Sequence, residues 1–189
     1  MLYYCQTKNK KDLQSILDLS RQNLKSADIP ISDYEEGFIT VPYEIEELEM
    51  MSSIHSQLVV KDRNTNGLVG YALLLDRKLS KEIPYLVSFF DQVNALEIEG
   101  KKLSEWSYIV MGQICIHEDY RSKGLFRGLY REFVELTKDK FDYVITEINA
   151  NNTRSLRAHN RVGFQTILEF TSEDKERWHI VMLPTNKEL

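Results

Sequence analysis

The sequence predicts a mixed α/β (α+β) fold forming a single domain over residues 1–189, and three observations predict it. First, Ser107 to Ile116 is a nearly continuous apolar run, as expected of a central strand buried on both faces. Second, that run leads through a polar turn, Arg121-Ser122-Lys123-Gly124, straight into a helical pattern. The apolar face of that helix is Leu125, Leu129, Phe133, Val134 and Leu136. Third, 189 residues with 42% hydrophobic and 28% charged content suit one domain with an ample core.

The remaining elements follow in order. Met1–Thr7 reads as a short strand. Lys10–Lys25 places Leu13, Ile16, Leu17, Leu19 and Leu24 on roughly one face of a helix, and Ser26–Pro30 breaks it. A second helix is expected within Tyr43–Ser52. Gln57–Asp62 and Leu68–Asp76 read as strands joined by the turn Arg63-Asn64-Thr65-Asn66-Gly67. Pro84–Leu96, apolar and aromatic, reads as a helix in the core or over a cleft. Phe141–Ile148 is a second buried strand. Thr153–Arg161 is a short helix capped from Asn152 or Thr153, with Gly163 at its end. Gln165–Phe170 and Trp178–Leu183 complete the sheet around the polar loop Ser172–Arg177.

Several classes are set aside by composition. A net charge of −5 argues against nucleic acid as the main partner. No apolar run approaches the ~20 residues of a membrane span, so no membrane partner is expected. The opening MLYYCQTKNKK lacks the basic start and apolar stretch of a signal peptide. Cys5 and Cys115 make neither a metal motif nor a disulfide framework, which fits a cytoplasmic protein without a metal.

The turn at Arg121–Gly124 gathers free backbone N–H groups, a helix N-terminus and fixed positive charge at one point. Such a place suits a phosphate-bearing ligand, with Gly124 allowing close approach. A plain helix cap with a solvated basic turn is the simpler alternative. About thirty residues on, Asn152-Thr153-Arg154-Ser155 leads into Gly163-Phe164.

With both segments at this spacing, the chain resembles the GNAT superfamily of N-acetyltransferases. That family's acetyl-CoA motif begins with Gln or Arg, has Gly three positions on, and has Gly or Ala two positions after that. Here it reads Arg121-Ser122-Lys123-Gly124-Leu125-Phe126, with Phe126 at the small-residue position. The Phe126 ring points either at the pyrophosphate or into the helix–sheet interface. The family's second motif matches Asn152–Ser155 and Gly163-Phe164.

The resemblance implies a mixed, mostly antiparallel sheet of about seven strands, splayed between the fourth and fifth and flanked by helices. It implies acetyl-CoA as cosubstrate, held by Arg121, Ser122, Lys123, Gly124, Leu125 and Phe126 at the pyrophosphate. Ile114, Cys115 and Ile116 would pair their backbone with the pantetheine arm. Asn152 and Ser155 would meet the cofactor amide or sulfur, or serve only as helix-start residues. Cys115 reads as a small buried apolar residue, since GNAT transfer is direct.

Acetyl transfer needs a neutral amine. At about 1.36 kcal/mol per pKa unit, deprotonating a lysine-like amine at pH 7 costs roughly 4–5 kcal/mol and an α-amine roughly 1. Val110, Met111 and Gly112 supply no acid or base, and Gln113 cannot exchange protons at neutral pH. By resemblance Glu147 is the candidate base and His159 the candidate acid toward the leaving thiolate. Their structural alternatives are a hydrogen-bonded carboxylate across the splayed strands and a helix residue packed beside the cofactor. By resemblance, Tyr34, Phe38, Tyr43, Phe89 and Phe90 fall in segments that surround the acceptor side, and core residues are the equal alternative. The oligomer is expected to be a monomer or homodimer. A non-catalytic acyl-CoA-binding module on the same fold is the competing function.

Overall fold

The computed structural model describes residues 1–25 and 37–186. Its strands are β1 (Leu2–Gln6), β2 (Leu58–Asp62), β3 (Leu68–Leu75), β4 (Glu97–Ile98), β5 (Lys101–Lys102), β6 (Tyr108–Ile116), β7 (Tyr143–Asn149), β8 (Gln165–Thr171) and β9 (Arg177–Pro184). Its helices are α1 (Lys10–Gln22), α2 (Ile45–Ile54), α3 (Val87–Ala95), α4 (Leu125–Thr137) and α5 (Thr153–Val162). The expected break at Ser26–Pro30, and Tyr34, lie outside the described residues. No helix among the described residues is long and apolar enough to cross a membrane.

Seven strands form one sheet in the order β1-β2-β3-β6-β7-β9-β8, antiparallel at every junction except β6–β7. Period-2 alternation divides the core between the two faces. Tyr71, Leu73, Leu75, Tyr108 and Val110 pack with α1, α2 and α3. Ala72, Leu74, Ile109 and Met111 pack with α4 and α5. Fully burying each such apolar side chain contributes about 1.5–3 kcal/mol, before the entropy of ordering it.

The stretch between β3 and β6 is richer than one helix. Pro84–Leu86 forms a 3₁₀ turn, α3 follows, and β4 and β5 make a small hairpin. Its turn residues Glu99 and Gly100 have φ of 53° and 76°, the positive values a tight hairpin needs.

Candidate active site

The site begins where β6 and β7 part. These parallel strands pair only from Tyr108↔Tyr143 to Val110↔Ile145. One residue further, Leu73 still pairs with Gln113 while Leu74 pairs with Met111, so Gly112 is an extra residue in β6. Such a bulge bends its strand, here away from β7. Thr146 Oγ1 donates to the Met111 carbonyl at 2.9 Å, closing the apex of the gap. The opening explains why β6 is not buried on both faces throughout: its last five residues alternate between buried and half-buried.

A groove of about 780 Å³ runs from this gap to the N-terminus of α4. Gly124 caps that helix with φ 78° and offers no side-chain acceptor to the first turn. The opening N–H groups of a helix have no partner within it, so those of Leu125, Phe126 and Arg127 remain available. Ser122 also adopts positive φ, 61°, so left-handed residues alternate along the turn. That backbone makes a concave donor surface suited to an anion.

Five arginines line the groove (Arg121, Arg127, Arg154, Arg157 and Arg161), and no acidic residue among the described ones does. Only Arg121 figured among the expected site residues. The signal for the others was present: Arg154, Arg157 and Arg161 sit three and four residues apart, one face of α5.

The expected cofactor residues are placed unequally. Ile114, Cys115, Ile116, Arg121, Ser122, Gly124, Leu125 and Phe126 all line the groove. Lys123 does not: its ammonium donates to the Asp119 carbonyl at 2.7 Å and sits over the Tyr120 ring. Arg121 is partly committed to the fold, donating from Nε to the Ile116 carbonyl at 3.2 Å and from Nη2 to Asn23 Oδ1 at 2.5 Å. The Phe126 ring packs edge-on against Tyr130 and His159, with centroids 5.2 and 5.0 Å away. Of the two orientations left open by the sequence, the ring takes the interior one. Cys115 is buried, and burial pushes its thiol up to about 12, which disqualifies it as a nucleophile.

A strap, Gly37 to Val41, crosses the gap. It is tied to α1 by Ile39 N donating to the Asn23 carbonyl at 2.8 Å. Asn152 Nδ2 holds the Phe38 carbonyl at 2.8 Å, while Asn152 Oδ1 accepts from Ser155 N at 3.2 Å and caps α5. Asn152 is therefore a clip between strap and helix, and it also lines the groove. Gln113 fixes the strap's other end, donating from Nε2 to the Val41 carbonyl at 2.8 Å. Its Oε1 accepts from Ser20 Oγ at 3.0 Å and from Tyr71 OH.

Beneath the strap lies a second, small cavity of about 80 Å³, lined in part by Gly112, Gln113, Glu147 and His159. It shares Phe38, Ile39, Ile114, Asn152 and Ser155 with the groove. The Glu147 carboxyl makes no hydrogen bond or ion pair among the described residues. Burial alone pushes its carboxyl up to about 7. A carboxyl so poised takes and returns a proton near neutrality.

His159 lies in the same cavity wall but differs from expectation. It is 2% exposed and enclosed by Phe126, Tyr130 and Phe164. Burial pushes its imidazole down to about 4. A neutral ring has no proton to spare for a general acid at neutral pH, so the geometry turns this expectation toward the structural alternative. Of the described aromatic acceptor-side candidates, Tyr43, Phe89 and Phe90 are buried in the core and Phe38 reaches the cavities.

Comparison with known proteins places the fold. The model of the acetyltransferase (GNAT) family matches residues 26–164, and the chain belongs to that family. Solved structures share the fold from end to end. The NatC complex bound to Gag peptide and CoA contains a chain 13% identical, with TM-score 0.66 over 97% of this chain and 98% of that one. Arabidopsis thaliana NAA60 in complex with acetyl-CoA is 14% identical, with TM-score 0.63 over 97% and 99%. The ribosomal-protein-S18-alanine N-acetyltransferase from Escherichia coli is 14% identical, with TM-score 0.59 over 100% and 97%. A sequence search of curated proteins finds no match.

Proposed function

We propose that this chain is an acetyl-CoA-dependent N-acetyltransferase that moves the acetyl group directly to a primary amine. One observation carries the reading: the buried, unpartnered carboxyl of Glu147 stands in a small cavity that shares a wall with a cationic groove, and that groove reaches a helix N-terminus with no side-chain cap. The donor set fits the substrate. A diphosphate with about two negative charges suits the amides of Leu125 to Arg127, and the arginine face of α5 suits further phosphate. The open edge of β6 from Ile114 to Ile116 offers backbone to an extended arm leading toward Glu147.

Glu147 then accepts the proton that the attacking nitrogen must lose, directly or through a water. The acceptor is a protein or peptide amine before a small molecule. Relatives of the same fold support that order, one bound to a peptide and one named for a ribosomal-protein alanine.

The test is a panel of N-terminal peptides, lysine peptides and small amines incubated with acetyl-CoA, read by free-thiol release and product mass. The reading predicts acetylation of at least one class and its loss in Glu147→Gln. Binding of acetyl-CoA with no acetylation anywhere would favour the non-catalytic acyl-CoA-binding module.

A further inference from the structure

Three side chains form a hydrogen-bonded line from the groove into the core. Ser155 stands at the junction of the two cavities, on the wall of both. His159 Nδ1 lies 2.8 Å from the Ser155 carbonyl and 3.3 Å from Ser155 Oγ. His159 Nε2 lies 2.6 Å from Tyr130 OH, and Tyr130 is fully buried on α4.

The partners dictate the protons. A carbonyl oxygen can only accept, so Nδ1 must carry the N–H. Nε2 is then an acceptor, and Tyr130 donates to it. Both nitrogens thus favour one neutral tautomer, with the ring enclosed by Phe126, Tyr130 and Phe164. The Nδ1–H also points near Ser155 Oγ, which accepts from it. A hydroxyl that accepts there has its own O–H left to aim elsewhere, and the open side is the groove. With the other tautomer, Ser155 would donate to Nδ1 and turn its hydrogen away.

We infer that Ser155 is the catalytic hydrogen-bond donor to the departing sulfur, and that His159 is a positioning residue acting through it. This deepens the proposed acetyl transfer and rests on that reading. As the amine attacks the thioester carbonyl, the carbon–sulfur bond breaks and its electron pair stays on sulfur. Ser155 O–H donates a hydrogen bond to that growing charge and keeps its proton. Glu147 receives the proton leaving nitrogen, and the thiolate takes one from solvent afterwards. His159 needs no titration for this role, which agrees with its neutral state. The role also gives Phe126 a purpose: its ring walls the imidazole where the family's small residue would leave space.

The test uses the full chain with free coenzyme A as probe, its bound thiol titrated by thiolate ultraviolet absorbance. The thiol should titrate about one unit lower when bound than when free, the worth of one hydrogen bond to a charged group. Ser155→Ala should return it to the free value. The paired variant Tyr130→Phe with His159→Phe removes both buried polar partners together and keeps ring-sized groups. It should return the thiol equally, and adding Ser155→Ala to it should change nothing more. Nitrogen-15 shifts of His159 in the free wild-type protein give a reading that needs neither variant nor ligand. They should show protonated Nδ1 and bare Nε2 from about pH 8 to about pH 5. An Nε2–H tautomer, an imidazolium in that range, a wild-type complex whose thiol titrates as in free coenzyme A, or a variant that keeps the wild-type thiol value overturns the inference and leaves the acetyltransferase reading standing. Failure of coenzyme A to bind at all overturns both.

Discussion

At the residue scale, Glu147 couples function to stability with opposite signs. Its carboxyl is pushed from 4.5 up to about 7 by burial, with no partner to compensate. The folded state therefore holds the proton more tightly than the unfolded chain. Stability from this group is full below about pH 4.5 and is lost as pH rises through 7. Glu147→Gln should then raise unfolding free energy at pH 8 by about 1–3 kcal/mol, leave it unchanged near pH 4, and abolish acetyl transfer. Chemical denaturation at both pH values checks the first part. In the wild type, the transfer rate should climb through about pH 7 as the carboxylate forms. Asn152 is a different kind of residue, a clip rather than a reagent. Asn152→Ala should cost about 1 kcal/mol through the lost cap and free the strap at Phe38, visible as faster amide exchange there.

At the scale of elements, the first turn of α4 is the anchor. The backbone at Gly124 lies at φ 78° with open space where a Cβ would go, so strain and not crowding penalises substitution. Gly124→Ala should cost about 1–2 kcal/mol of stability and weaken acetyl-CoA binding, as thermal denaturation and calorimetric titration would show. The face of α5 acts at longer range. Removing Arg157 and Arg161 together should weaken acetyl-CoA binding several-fold at low salt and far less at high salt, since both are exposed. No weakening at low salt would mean the phosphates sit elsewhere.

These elements also show what the sequence could and could not disclose. The α4 turn was legible because glycine, basic charge and helical period fall together within a few residues. The strap was not, because Gln113 and Asn152 lie far in sequence from Val41 and Phe38 and meet them only through tertiary hydrogen bonds. Gly112 stood in plain view inside an apolar strand, where an isolated glycine signals a bulge. Its consequence, the parting of β6 from β7, needs the register of β3 to be seen. His159 was read by position, and its burial among three aromatic rings, with contacts to Tyr130 OH and to Ser155 O and Oγ, is visible only in the fold.

For the whole molecule, two buried groups oppose each other across one pH window. As pH falls from about 7 to 4.5, the folded chain gains a proton at Glu147 and stability rises. As pH falls from 6.5 to about 4, the unfolded chain gains one at His159, whose folded value is depressed, and stability falls. The two slopes should nearly cancel between about pH 4.5 and 6.5, leaving a flat profile from this pair. Glu147→Gln should uncover the His159 slope, so the variant loses stability on acidification where the wild type does not. Charge is also divided across the molecule. A chain of net charge −5 gathers five arginines into one groove, a field that draws an anionic substrate to its site.

The most direct measurement follows backbone amide resonances of the nitrogen-15-labelled chain during titration with acetyl-CoA. The account predicts saturable shifts, largest at Gly124, Leu125, Phe126 and Arg127 and continuing along Ile114 to Ile116. Saturable binding that leaves those amides unmoved, or no binding at millimolar acetyl-CoA, would contradict it.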